Sequence, residues 1–158
     1  MRENESMGSM RSQAHGTSRM HSEATITVQS SQALPYDQTA SPALLEIRLS
    51  EVFSGGIDGH STVRALQARR DDGSASMVML QRFQGKLDGR AGTFVLQGSA
   101  IVANGKITAT WSVVPQSGTD ELSGLRGEGG FEGDFGKGSV GRLAYWFEAP
   151  PAPPSKPF

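Results

Sequence analysis

Cysteine is absent from the 158-residue chain, which excludes disulfide bonds and thiol chemistry. No apolar run approaches the roughly 18 residues that a membrane-spanning helix needs. The segment after Arg2 also lacks the apolar stretch of a secretory signal. These absences are compatible with a reducing compartment, and the sequence predicts a cytoplasmic protein with no membrane partner.

An excess of charge of either sign is also missing, because 15 Lys and Arg residues face 16 Asp and Glu residues. Nucleic-acid binding through a basic surface is therefore not expected. Only one of the three histidines, His60, lies outside the N-terminal 22 residues. One histidine without cysteine does not make a zinc site. No G-x-S-x-G motif occurs, and the glycines at 127, 129, 130 and 133 do not match G-x-G-x-x-G, so we predict neither a metal nor a cofactor.

Both ends of the chain lack apolar periodicity. Residues 1–22 are rich in Ser, Met, Arg and Gly, and residues 149–158 read APPAPPSKPF. Proline cannot donate to a sheet ladder, and polar segments of this kind bury too little apolar surface to fold. We therefore expect a disordered tail over 1–22, one β-barrel domain over 23–148 and a Pro-rich tail over 149–158.

Glycine-marked turns separate alternating apolar and polar runs in this body. Residues 53–59 (FSGGIDG) match residues 83–89 (FQGKLDG), and residues 131–136 (FEGDFG) form a looser third copy. In each copy an aromatic residue ends a strand, and glycine or Asp-Gly then supplies the positive φ of a tight hairpin. The body is therefore predicted to be all-β with short antiparallel connections.

Division at the turns yields about eight strands. They are 24–29, 43–54, 60–70, 74–85, 90–103, 106–114, 127–133 and 139–148. A loop over 30–42 and a connection over 115–126 are the two long links. An up-and-down barrel hides the edges of such a meander, and a two-sheet sandwich is the alternative.

The 115–126 connection is predicted to contain one short helical turn, near 119–125. Ser117 or Thr119 would cap its amide groups, and glycines would end it. Leu122 and Leu125 would then face inward and plug one end of the barrel.

Two segments resemble a known family. Residues 87–97 (LDGRAGTFVLQ) and 111–125 (WSVVPQSGTDELSGL) are similar to an uncharacterised bacterial family grouped with the allene-oxide-cyclase-like barrels. The resemblance covers about 24–148 and implies an eight-stranded barrel without implying an activity. Family members commonly carry Glu where this chain has Gln81 and His where it has Gly98. The resemblance therefore implies that a possible acid–base pair is missing here.

Polar and aromatic side chains on the apolar faces of the strands are the site candidates. Pleating places them toward the barrel interior, where an acid or amide needs a hydrogen-bonding partner, which a ligand can supply. The candidates for contact with a ligand in the lumen are Glu51, Gln67, Gln81, Trp111 and Tyr145. In the competing interpretation, Glu51 sits in water near a strand end and the two aromatic residues are core packing.

Three functions fit this pattern. The first is a barrel that binds a small apolar or amphipathic molecule in its lumen. The second is an isomerase or cyclase of the allene-oxide-cyclase-like kind, in which control of substrate shape does much of the catalysis. The third is a filled barrel that acts through its surface as a homo-oligomer. No catalytic residue is identified.

Overall fold

The computed structural model describes residues 18–134 and 137–149, and these form one closed antiparallel barrel in which each strand pairs with its neighbours in the chain. The strands are β1 Met20–Asp37, β2 Ala43–Gly55, β3 Ile57–Arg69, β4 Ala75–Leu87, β5 Arg90–Ala103, β6 Lys106–Val113, β7 Leu125–Asp134 and β8 Ser139–Phe147. The predicted all-β up-and-down barrel is thus confirmed, and the sandwich is excluded. The disorder expected for residues 1–17 and 150–158 lies outside the described residues.

Only one short helix is described, a 3₁₀ turn at Asp120–Leu122. It confirms the helical turn expected near 119–125. Within the described residues no helix has the length and apolar character to cross a membrane.

The hairpin corners use the turn chemistry that the sequence indicates. Asp88 and Gly89 have φ of 47° and 90°, and Asn104 and Gly105 have φ of 55° and 75°. Two successive residues with positive φ match the right-handed twist of the strands that they join. Between the corners, side chains alternate between the core and the outer wall, as β3 illustrates with its regular exchange of buried and exposed positions.

The first strand differs from its prediction at both ends. It begins at Met20, within the segment expected to be disordered, and its first residues pair with β8 from Met20–Tyr145 to Ile26–Ser139. It also continues to Asp37, so the loop predicted over 30–42 is wrong over most of its length. The Ser- and Gln-rich composition of this segment does not predict a strand. Its strand conformation comes from pairing with β2 and not from a local preference for β-structure.

The core consists of two apolar clusters stacked along the barrel axis. The plugged end contains the large aromatic and aliphatic side chains of one cluster, including Phe53, Phe83 and Phe94. The other cluster is built from smaller residues, among them Ala65, Ala100 and Ala109. Leu122 and Leu125 are fully buried in the first cluster, which confirms that this connection closes one end of the barrel.

Ser117 and Thr119 in the 115–126 connection bind β5 and do not cap the helical turn. Ser117 Oγ accepts from the Val95 amide at 3.0 Å, and Thr119 Oγ1 accepts from the Thr93 amide at 3.0 Å. Thr119 makes no side-chain cap of the 3₁₀ turn. The predicted helix capping is therefore wrong. Because β6 pairs with β5 only from Leu96 onward, the backbone amides of β5 before Leu96 need other hydrogen-bond acceptors, and these two hydroxyls supply them.

The plug offers a direct test of this packing. Leu122→Ala should lower the free energy of unfolding by about 2–5 kcal/mol, because it leaves a cavity in a filled cluster. Thermal or urea denaturation measures the change. Val140→Ala, on a side chain that is 39% exposed, should change stability little, and equal losses in both variants would contradict the plug.

Candidate functional site

A polar cluster separates the two apolar clusters inside the barrel. Glu51 on β2 lies directly opposite Ser61 on β3, and Gln81 lies on the next strand. The Gln81 amide nitrogen donates to Ser61 Oγ at 2.8 Å and to Glu51 Oε1 at 3.2 Å. In both contacts the amide nitrogen of Gln81 is the donor, and the Glu51 oxygen accepts.

The environment of Glu51 favours its neutral form. Burial raises the pKa of this carboxyl to about 7, and the hydrogen bond from Gln81 offsets only part of that shift. No salt bridge in the described part of the chain involves Glu51. Glu51 is thus an acid without a cationic partner, titrating near neutral pH, as functional carboxyls commonly do.

The end of the barrel opposite the plug is covered less completely by strands. Among the described residues, β8 pairs with β1 only up to Ile26, and residues 27–37 of β1 pair with β2 alone. Val28, directly opposite Glu51, is 45% exposed. Inward-facing side chains further along this end are only half-buried; they are Leu49, Met77, Ile107 and Phe131. We call this region the open end, and its wall is apolar around one carboxyl group.

Gln67 lies near the rim of this open end and has a partner of its own. It is 4% exposed and accepts a hydrogen bond from Arg69 Nε at 2.9 Å. It sits opposite Leu45 and Met77 on the neighbouring strands. The structure therefore places Gln67 on the same inner wall as Glu51 and Gln81, but in a separate hydrogen-bonded pair.

Trp111 packs in the core of the plugged end. Its ring lies 5.3 Å from that of Phe131 and 6.3 Å from that of Phe53, and its Nε1 donates to the Arg142 carbonyl at 3.0 Å. Gly141 leaves the space that the indole occupies, since a Cβ there would lie 3.1 Å from the ring. These contacts match the core-packing interpretation of this residue.

Tyr145 belongs to a second polar cluster, at the plugged end. Its hydroxyl donates to Asp88 Oδ2 at 2.6 Å, and Ser22 Oγ donates to Asp88 Oδ1 at 3.0 Å. Burial and the Asp88 carboxylate raise the pKa of Tyr145 to about 12, which keeps its proton on the hydroxyl at any physiological pH. This cluster ties the β4–β5 turn to β1 and β8, and the structure does not bring Tyr145 together with Glu51.

A groove on the outer wall is the feature that sequence reasoning missed. It has a volume of about 980 Å³ and crosses β2 to β7, with Glu46, Arg64 and Glu128 among its lining residues. Three of its apolar side chains are largely exposed: Leu66 at 51%, Val78 at 59% and Leu80 at 54%. The sequence could have indicated this groove, because all three residues alternate along their strands with the inward-facing Ala65 and Met79 and so must point outward.

Close packing of the β5 and β6 backbones explains the glycine at position 98. A Cβ on Gly98 would lie 2.0 Å from the Thr110 backbone oxygen, so any side chain there would force the β5 and β6 backbones apart. This chain therefore has no room for the histidine that the family resemblance associates with this position. Gln81 occupies the other position, and its amide serves the Glu51 cluster instead.

Comparison with known proteins identifies relatives without identifying an activity. A family model described as "Protein of unknown function (DUF3224)" matches residues 7–148. The crystal structure of a protein with unknown function from the same family, from Shewanella oneidensis MR-1, is similar at 28% identity with a TM-score of 0.67. The match covers 84% of this chain and 100% of that chain. No curated protein matches the chain.

The raised pKa of Glu51 predicts how stability depends on pH. The folded protein holds this proton up to about pH 7, whereas an ordinary Glu releases it near 4.5. Between these values the folded state binds more protons than the unfolded state, so stability should fall as pH rises from about 4.5 to about 7. The decrease should be roughly 1–3 kcal/mol, less than the full shift implies because the carboxyl is partly hydrated.

The measurement is denaturation at closely spaced pH values for the protein and for Glu51→Gln. The variant should lack this decrease and should be more stable than the natural chain above pH 7. Glu132→Gln, on an exposed side chain of the outer wall, is the matched control and should leave the decrease in place. Parallel curves for the protein and Glu51→Gln would refute the assignment.

Proposed function

We propose that this chain, which belongs to the DUF3224 family of proteins of unknown function, binds a small amphipathic molecule in the open end of its barrel. The proposal is carried by one observation: Glu51 lies half-buried on an inner wall whose apolar neighbours retain contact with water. An apolar concave wall with a few convergent polar groups is the usual make-up of a small-molecule site.

The two ends of the barrel support different roles. At the plugged end, the side chains of Phe53, Phe83 and Phe94 are each no more than 1% exposed, so no ligand would enter there. At the open end Ala65, Ala100 and Ala109 are buried, whereas the larger side chains of Leu49, Met77 and Phe131 are only half-buried. An apolar group placed beside them would bury the exposed parts of Leu49, Met77 and Phe131, which is favourable at roughly 25 cal/mol per Å².

Among the sequence candidates, Glu51 and Gln81 are the residues that would contact such a molecule directly. Gln67 would lie at the rim, where Arg69 orients its amide. Trp111 and Tyr145 would act as supports, because their polar atoms are already bonded to protein groups in the plugged half. In this proposal the lumen site is smaller than the five-residue set that the sequence suggests.

An isomerase or cyclase would use the same carboxyl. A group with a pKa near 7 can donate or accept a proton at neutral pH, which is the property that general acid–base catalysis requires. Chromatography of the bound molecule before and after incubation with the protein would distinguish catalysis from binding. Appearance of an isomer of equal mass would show catalysis, and an unchanged molecule would show binding.

Binding is tested with protein purified from its own host. Native mass spectrometry should reveal a co-purifying small molecule, and the emptied protein should enhance the fluorescence of the apolar probe N-phenyl-naphthylamine. Leu49→Arg places a charged chain in the open end and should abolish both signals, whereas Leu80→Arg in the outer groove should preserve both. Loss of the signals in Leu80→Arg alone would move the site to the outer wall and contradict the proposal.

A second candidate function is self-association through the outer wall. Leu66, Val78, Leu80 and Ile101 are each more than half exposed and lie on three adjacent strands. A contiguous apolar patch of this kind marks a contact surface. Arg64 on β3 and Glu128 on β7 both line the groove, and a two-fold axis that set Arg64 of one copy against Glu128 of the other would pair opposite charges.

The predicted assembly is a homodimer that dissociates on dilution. Sedimentation velocity over a concentration series should show the dimer for the natural chain and a monomer for Val78→Lys, which places a charge in the patch. Thr25→Lys, on an exposed position of β1 away from the groove, should remain dimeric. A natural chain that is monomeric at its highest soluble concentration would exclude this role.

A further inference from the structure

We propose that the molecule bound in the open end carries a hydrogen-bond-donating cationic head, of the alkylammonium class, which docks on Glu51 Oε2 and Gln81 Oε1. The inference rests on the binding function proposed above and adds the chemistry of the ligand. It follows from an inventory of donors and acceptors at the polar cluster.

Gln81 has no donor left to offer. Both of its side-chain contacts in the described structure are made by its nitrogen, one to Ser61 Oγ at 2.8 Å and one to Glu51 Oε1 at 3.2 Å. An amide nitrogen carries two hydrogens, so these two bonds use its full capacity. What remains of Gln81 is its carbonyl oxygen, which is an acceptor.

Glu51 likewise contributes only acceptors when it is ionised. The Glu51 side chain makes its hydrogen bond to Gln81 through Oε1, and no side chain among the described residues bonds the second oxygen, Oε2. Every fully buried side-chain nitrogen or oxygen in the described part of the chain has a partner. The unbonded oxygens of Glu51 and Gln81 are therefore not fully buried, and each retains some contact with solvent.

A ligand that displaces water from these two oxygens must replace the hydrogen bonds that water gives them. A head group made only of acceptors, such as a carboxylate, ester or ketone, would leave both oxygens unsatisfied and would set one carboxylate against another. An ammonium group carries three donors and a positive charge. It would bond both oxygens at once and would supply the cationic partner that Glu51 lacks in the described structure.

The surrounding wall specifies the rest of the ligand. Leu49 is two residues from Glu51 on the same face of β2, and Met77 and Ile107 line the same end. These half-buried apolar side chains fit an unbranched or weakly branched hydrocarbon chain. A small hydrophilic amine such as a free amino acid would leave them uncovered and would add a carboxylate facing Glu51.

The experiment compares three probes of equal chain length: octylammonium, octanol and octanoate. Isothermal titration calorimetry at pH 8, where Glu51 is ionised and the amine is charged, should show octylammonium binding about tenfold more tightly than octanol, as a charge-assisted hydrogen bond implies. Octanoate should bind more weakly than octanol. Equal affinities for all three probes, or a preference for octanoate, would overturn the inference but leave the proposed binding function standing.

Two variants locate the effect. Glu51→Gln keeps the shape of the side chain and should remove the tenfold preference for octylammonium over octanol. Leu80→Ser in the outer groove is the matched control and should leave all three affinities unchanged. A preference that survives Glu51→Gln would overturn the assignment of Glu51 as the anchor, and failure of all three probes to bind would overturn the proposed function with it.

Discussion

The pairing of β1 with β8 is the interaction on which the rest of the structure depends. It closes the sheet into a barrel from Met20 to Ile26 and then stops. Where the two strands pair, the interior is sealed and filled with aromatic side chains. Beyond Ile26 no further pairing of β1 with β8 is described, and inner side chains such as Leu49 and Met77 are only half-buried. The length of one ladder thus divides the described molecule into a tightly filled half and a half in which some inner side chains are partly exposed.

Polar groups inside the barrel follow the same division. At the plugged end, Asp88 is bonded by both Tyr145 and Ser22, and Trp111 is bonded to the backbone of β8. These groups are fully engaged and fasten strands together. Between the two apolar clusters, Glu51 and Gln81 bond to each other, and each keeps one oxygen without a partner among the described side chains. Buried polar groups normally satisfy one another, so this difference separates a structural cluster from a candidate site.

Much of the fold could be predicted from local chemistry. Asp88-Gly89 and Asn104-Gly105 predict hairpin turns because few other residue pairs tolerate two positive φ angles. Alternation along β3 and β4 indicates which side chains point inward. The second half of β1 could not be predicted in this way, because its strand conformation is imposed by β2. The roles of Ser117 and Thr119 were also hidden, because the amides that they bind belong to β5, more than twenty residues away in the chain.

The sequence by itself predicted an all-β meander and placed Glu51, Gln67, Gln81, Trp111 and Tyr145 on the apolar faces of their strands, since both follow from turn residues and from a period of two. Those local signals left the barrel and the sandwich as alternatives, and the tertiary structure decided for the barrel. Only the tertiary structure decided which of these side chains share a site. The stagger of eight strands around a barrel sets the depth of each inner residue, and no local pattern encodes that stagger. It places Glu51 beside Gln81 at the boundary of the open end, and Tyr145 beside Asp88 at the plugged end.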